Sequence, residues 1–297
     1  MKSFFSSLYK LIGSTSVGKN MLKIIGRLRI DRFMYFIVDL FDPDFSAADV
    51  AEANTYFYAH RYEVSAVLHE LCDDFSVETY KKMINYRMTG DRRYVLSVCR
   101  PVKDRYILRD RKGKNMLNMR NESIIDCGAY TGDDLENFIR QKITFKHYYA
   151  FEPDKDNIKE GHAFYTRPGV EVYEFAVGEK EGTLFFEKEG GVSPVGKLSE
   201  TGSMTVEVRN LDTILKNKPV TMIKMDIEGA EMDALRGASR IIATQHPLLA
   251  ISIYHSNEDM IRILPYIKSL VPEYQFYCRH YSYGYSDTIL YAVCRDV

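Results

Sequence analysis

Ile124-Ile125-Asp126-Cys127-Gly128-Ala129-Tyr130-Thr131-Gly132-Asp133 is an apolar run that stops at a carboxylate and turns through glycines into a helix-like segment. A second apolar run, Ala150-Phe151-Glu152-Pro153-Asp154, also ends in an acid. Parallel strands end this way where they frame a ligand crevice. Gly128 and Gly132 allow the backbone to approach a ligand without a Cβ in the way, and the helix N-terminus behind them favours an anionic group. A dinucleotide fingerprint needs G-x-G-x-x-G, but the corresponding positions carry Gly128, Tyr130 and Asp133. Asp133 would repel a pyrophosphate, whereas an amino-acid end group can offer its ammonium to Asp126 and its carboxylate to the backbone. S-adenosylmethionine has such an end. Glu152 is placed to accept from both hydroxyls of its ribose, although a solvated strand-end acid is the other reading of that residue taken alone.

A third run, Met222-Ile223-Lys224-Met225-Asp226-Ile227-Glu228-Gly229-Ala230-Glu231, again ends in acids before a helix. Its carboxylates face the same crevice if its strand neighbours the first. Around these three, β-rich runs alternate with helical ones, the pattern of βαβ units on a mostly parallel sheet. The sequence predicts strands at 123–127, 147–152, 171–176, 220–225, 248–254, 273–278 and 287–293. Helices are expected near 132–141, 154–165, 230–239 and 257–270, with a β pair at 182–187 and 204–208 flanking Gly190-Gly191. Before residue 118 the apolar spacing is helical, as in Phe4, Phe5, Leu8, Leu11 and Ile12. One helix there opens at Ser76, expected as its N-cap, and closes at Gly90. The stretch Arg109 to Asn115 reads as an exposed turn, and the expected division is a helical region over 1–120 and an α/β domain over 121–297.

The combination of Asp126-Cys127-Gly128-Ala129-Tyr130-x-Gly132, Phe151-Glu152-Pro153, Ala176-Val177-Gly178 and Asp226-Ile227-Glu228-Gly229-Ala230-Glu231 resembles the FkbM-type S-adenosylmethionine-dependent methyltransferases. Leu211-Asp212 and Leu235-Arg236-Gly237-Ala238 also stand where that family's pattern puts them, and the similarity spans roughly 120–297. Residues 60–118 more weakly resemble the N-terminal extension of some bacterial members. The resemblance implies a class I methyltransferase fold: a seven-stranded Rossmann-like sheet, with six parallel strands and one reversed near an edge. It implies methyl transfer to an oxygen of a sugar or glycan precursor. It also carries the cofactor contacts onto Asp126, Gly128, Ala129, Tyr130, Gly132, Glu152, Ala176 and Val177.

Methyl transfer is an in-line displacement, so the protein must position two partners and take a proton from the acceptor. Asp226 and Glu228 are the nearest candidates, Glu228 being equally readable as an acid that bonds its own turn. His255 follows the run Leu249 to Tyr254 and is a candidate general base, or simply a cap at a strand end. Where many family members have an acid followed by a histidine, this chain has Ser252 to His255, so no strand-end acid carries over. Asp226, Glu228 and Glu231 could offer oxygen ligands, but such a cluster is more often polar framing, and no metal is expected.

The chain of 297 residues is 45% hydrophobic and 27% charged, with a formal charge of −1, the balance of an ordinary globular protein. That balance, together with Asp226-Ile227-Glu228-Gly229 in place of an Asn-Pro-Pro-aromatic loop, disfavours nucleic acid as the acceptor. Charge is locally uneven: Lys2, Lys10, Lys19, Lys23, Arg27, Arg29 and Arg32 stand against Asp31 alone in residues 1–32. This basic amphipathic arm could lie on an anionic membrane, pack on the protein itself, or form a dimer contact. Five scattered cysteines without a C-x-x-C pair argue for a reducing cytoplasm rather than a disulfide framework or zinc site. The run Phe33 to Val38 is far shorter than the roughly 20 residues that cross a bilayer, and no signal-peptide pattern follows Met1. Tyr281, Tyr283 and Tyr285 could form a carbohydrate platform or pack as a loop edge. An N- or C-methyltransferase on another metabolite, or a catalytically silent cofactor-binding scaffold in glycan assembly, would share the same pocket.

Overall fold

The computed structural model describes residues 44–188, 196–199 and 204–294. The basic arm and the Gly190-Gly191 turn lie outside the described residues.

Seven strands form the main sheet: β1 (Glu122–Cys127), β2 (Phe145–Phe151), β3 (Val170–Tyr173), β8 (Met222–Met225), β9 (Leu248–Ser252), β10 (Gln275–His280) and β11 (Thr288–Val293). Their order is β10-β11-β9-β8-β1-β2-β3. β1 pairs in parallel with both β2 and β8, whereas β11 runs antiparallel to β9 and β10. The reversed strand therefore sits next to an edge, as expected. Burial explains the near-continuous apolar runs: all residues of the parallel strands β1, β8 and β9, and of the reversed β11, are buried, as befits a sheet covered on both faces.

A smaller sheet contains β4 (Ala176–Val177), β5 (Gly182–Lys188), β6 (Gly196–Ser199) and β7 (Met204–Arg209), in the order β4-β7-β5-β6. The strand expected at 171–176 is thus two strands in two sheets. β3 pairs with β2, while Ala176 pairs with Val208 of β7. The helix expected at 154–165 is likewise interrupted at Gly161, between Lys155–Glu160 and His162–Tyr165.

The segment expected as one helix at 230–239 forms two, Glu231–Arg236 and Ser239–Gln245. Gly237 between them lies so close to Gly178 that a Cβ there would meet the Gly178 carbonyl oxygen at 2.1 Å. Asp212 then caps the second helix, accepting from Arg240 N and Ile241 N at 2.7 and 2.8 Å. These contacts give a packing reason for three short motifs: Leu211-Asp212, Ala176-Val177-Gly178 and Leu235-Arg236-Gly237-Ala238.

Among the described residues four α-helices precede the sheet: Ala47–Ala59, Arg61–Glu70, Asp74–Thr89 and Arg93–Val98. The third closes on Gly90 at φ 70°, but its cap is Asp73 rather than Ser76. Asp73 accepts from Ser76 N at 2.6 Å and is held by Arg279 at 2.7 Å, while Ser76 Oγ faces the sheet and accepts from Cys278 N. Tyr80, Met83 and Ile84 on that helix share one buried cluster with Phe276, Cys278 and Leu290. The helices therefore pack on the β10 side of the sheet through a common core, and the expected division near 121 falls just before β1. The five cysteines are unpaired thiols. Among the described residues no helix is long and apolar enough to cross a membrane.

Candidate active site

β1, β2 and β8 end level with one another, because Cys127 is in register with both Phe151 and Met225. The residues that follow these ends, Gly128, Glu152 and Asp226, meet at one cavity of 380 Å³. Of the residues expected in the pocket, Tyr130, Ala176, Val177 and Glu228 also line it. Phe151, Pro153 and Phe175 add an apolar wall.

The first turn is shaped by left-handed backbone at Gly128, Tyr130 and Gly132, with φ of 76°, 49° and 79°. Gly128 has no alternative, since a Cβ would meet the Asp226 carbonyl oxygen at 2.0 Å. Tyr130 carries a side chain in the same region, and its N–H donates to Glu152 Oε2 at 2.9 Å. The Tyr165 hydroxyl donates to the Ala129 and Tyr130 carbonyls, clamping the turn from below. Ala129 and Gly132 thus shape the turn but do not line the cavity. Glu152 Oε1 accepts from Asp154 N and Asn157 Nδ2. Burial raises the Glu152 pKa against the pull of these hydrogen bonds. Both lone pairs of Oε1 are thereby taken, and one on Oε2 remains for a ligand.

Asp126, expected to receive a ligand ammonium, is fully buried and does not reach the cavity. Its ammonium comes from the chain. Lys224 Nζ lies 2.8 Å from Asp126 Oδ1 and 3.2 Å from Asp134 Oδ2, and donates to the Gly128 carbonyl at 2.8 Å. Tyr148 donates to the other Asp126 oxygen. Burial works against the Lys224 charge, but Asp126 and Asp134 outweigh it and hold the pKa above the ordinary lysine value. Arg105 bridges Asp133, Asp134 and Asp287 at 3.1, 3.0 and 2.9 Å. Lys224, Arg105, Asp133, Asp134 and Asp287 therefore form a mixed-charge wall of the cavity. An ammonium can meet the acids of this wall, and a carboxylate its cations.

The third turn carries a second network. Asp226 accepts from the Tyr106 and Tyr254 hydroxyls at 2.7 and 2.8 Å. Burial opposes its charge, yet Lys224, His255 and the Tyr106 hydrogen bond pull its pKa below the usual carboxylate value. Glu228 has φ 57°, and its carboxylate lies 3.6 Å from His255 Nε2. Glu231 is fully buried: it accepts from Ile227 N at 2.8 Å, closing the turn, and lies 3.0 Å from His255 Nδ1. Desolvation would lower the His255 pKa, but Glu231, Asp226 and Glu228 raise it to about 9. His255 does not line the main cavity; it stands behind Asp226, 3.5 Å away. Ligand atoms of Asp226, Glu231 and His255 lie within 4.8 Å of one another, so these are the residues that could hold a cation. As arranged, the imidazolium is itself the counter-charge of the carboxylates.

Sequence reasoning missed Arg105, Tyr106, Asp134 and Tyr254. It quoted Lys224 without assigning it a role, although a lysine inside an otherwise apolar strand was a usable signal.

Residues 126–281 match the methyltransferase FkbM domain family. The chain is similar to the crystal structure of methyltransferase FkbM from Methylobacillus flagellatus, with 29% identity and a TM-score of 0.68, over 80% of this chain and 60% of that one. It is more distantly similar to Aeropyrum pernix fibrillarin solved with bound S-adenosyl-L-methionine, with 9% identity and a TM-score of 0.38, over 59% and 67% of the two chains. No curated protein matches. With the family's domain matched over more than half of its length, the chain belongs to the FkbM methyltransferases.

Proposed function

We propose that the protein is an S-adenosylmethionine-dependent O-methyltransferase acting on a hydroxyl of a sugar or glycan precursor. The observation that carries the reading is the meeting of Gly128, Glu152 and Asp226 at one cavity, with an apolar wall on one side and a mixed-charge wall on the other. Glu152 would hold the ribose through Oε2, Phe151, Pro153, Phe175 and Val177 the adenine, and the wall around Lys224, Arg105 and Asp133 the amino-acid end. Bound there, the cofactor supplies an electrophilic methyl group on a sulfonium and departs as a neutral thioether.

The chain's own residues supply position and charge. Asp226 is ionised and held in place by two tyrosine hydroxyls. An acceptor hydroxyl turns strongly acidic only as its new C–O bond forms, so a carboxylate of low pKa is base enough to take the proton. His255 is already charged at neutral pH, so it acts as the counter-ion that keeps Asp226 deprotonated, and Glu231 fixes its orientation. The acceptor hydroxyl must approach Asp226 from a side the cofactor does not cover.

The reading is tested by incubating the protein with methyl-labelled S-adenosylmethionine and a panel of sugars, followed by mass spectrometry. A labelled methyl ether that disappears with Asp226→Asn supports it. Label on nitrogen or carbon, or binding without any transfer, would replace it with one of the alternatives weighed from the sequence.

A further inference from the structure

A second cavity, of 280 Å³, adjoins the first and shares Tyr254 with it as a wall. Its lining joins both parts of the chain. Phe45 and Glu52 come from the start of the helical region, Arg87 from the helix Asp74–Thr89, His255 from the turn after β9, and Tyr285 from the loop before β11. Three aromatic rings stand along one rim, with centroids 5.8 Å apart for Phe45 and Tyr285 and 6.2 Å for Tyr254 and Tyr285. Tyr285 leaves 41% of its surface exposed, so part of its ring is open to a ligand.

The cations of this cavity are already engaged. Arg87 is buried and spent on structure, donating to Asn257 Oδ1 at 3.0 Å and to the Tyr254 carbonyl. Beside it His255 is enclosed by Asp226, Glu228 and Glu231, and Asp259 packs near both. Asp49 and Glu52 are the two carboxylates of the wall itself, facing Arg87 and His255, whose charges are already met by acids outside it. An anionic ligand would therefore find no unspent cation there, whereas Asp49 and Glu52 can meet an ammonium.

The two cavities differ in size, 380 Å³ for the first and 280 Å³ for the second. The first lies toward the lower end of the roughly 300–1,000 Å³ of small-molecule sites, room for one ligand of nucleoside size. We propose that the second cavity is the acceptor subsite and takes an uncharged or amino-bearing sugar ring, with its C–H face on Tyr285 and Phe45 and a hydroxyl directed past Tyr254 toward Asp226. This rests on the methyltransferase reading above. It gives the helical region a task in the reaction: its first described helix builds one wall of the acceptor site and contributes to acceptor selection.

The test is saturation-transfer NMR on the full chain loaded with S-adenosylhomocysteine, using methyl β-D-glucopyranoside, D-glucosamine and D-glucuronate as probes. The neutral and amino sugars should give signals and glucuronate none. Tyr285→Ala should weaken the sugar signals by about three- to tenfold, the range of a lost aromatic contact, with nucleoside affinity unchanged. Glu52→Lys, on an exposed helix face, should selectively weaken glucosamine. With the nucleoside bound, silence from all three probes, a preference for glucuronate, or sugar binding indifferent to Tyr285→Ala overturns the proposal. Failure of the nucleoside itself to bind instead overturns the cofactor reading beneath it.

Discussion

The Lys224 ammonium lies 2.8 Å from the Asp126 carboxylate, with 2% and 1% of the two side chains exposed. The pair ties β8 to β1 directly beneath the cavity, and through the Gly128 carbonyl it also fixes the first turn. Removing one partner strands the other charge in the core. Lys224→Met should therefore destabilise the protein by about 3–5 kcal/mol in urea unfolding, and Lys224→Met with Asp126→Leu by less than the single change. A double variant as unstable as the sum of the two single ones would contradict the pairing.

His255 gives a prediction in pH. Its pKa is about 9 in the folded protein, against 6.5 ordinarily. The folded state therefore binds the proton more tightly, and the stabilisation is fully present below pH 6.5 and is lost as pH rises through 9. Stability should decline over that window by roughly 1–3 kcal/mol, and His255→Gln should flatten the decline. Glu231→Gln should lower the His255 midpoint in an NMR titration, since Glu231 is the largest source of the rise.

Glu152 receives hydrogen bonds from Tyr130 N, Asp154 N and Asn157 Nδ2. Glu152→Ala leaves these donors without their partner and frees the Tyr130 turn. The expected cost is about 1–3 kcal/mol in thermal unfolding, and Glu152→Gln should recover part of it. Equal stability of all three proteins would show that the turn holds its shape without the carboxylate.

Gly237 is buried with ordinary right-handed backbone, φ −69°, where Gly237→Ala would otherwise stabilise the helix end, yet here the new methyl group meets the Gly178 backbone. A net loss of about 1–3 kcal/mol is expected, because neither backbone segment can withdraw without moving Asp212 and its cap. A gain in Tm would show the contact to be relaxed.

The sheet was legible from the sequence because its buried strands are short apolar runs bounded by acids and turns, and the reversed strand followed from the family pattern. The acids at the cavity were legible for the same reason: Glu152 and Asp226 mark strand ends. What escaped was set by distant partners. Ser76 and Asp73 both precede the apolar stripe of their helix, and only the distant strand decides between them: Cys278 N and Arg279 both donate to Ser76 Oγ, turning it to the sheet and leaving the cap to Asp73. Arg105 and Tyr106 sit in a polar stretch with no periodicity, so nothing local points them at Asp134 and Asp226. Asp126 was expected to wait for a ligand's ammonium. The only hint that the chain provides its own was Lys224, a charge inside the run Met222-Ile223-Lys224-Met225.

Calorimetric titration with S-adenosylhomocysteine bears most directly on the central claim, that the cavity between Gly128, Glu152 and Asp226 holds the nucleoside of the methyl donor. Saturable heat with one site per chain is predicted, together with binding weakened about tenfold or more in Glu152→Ala, the effect of losing a charge-assisted contact to the ribose diol. No heat from the folded wild-type protein, or undiminished binding in a folded Glu152→Ala, would contradict it.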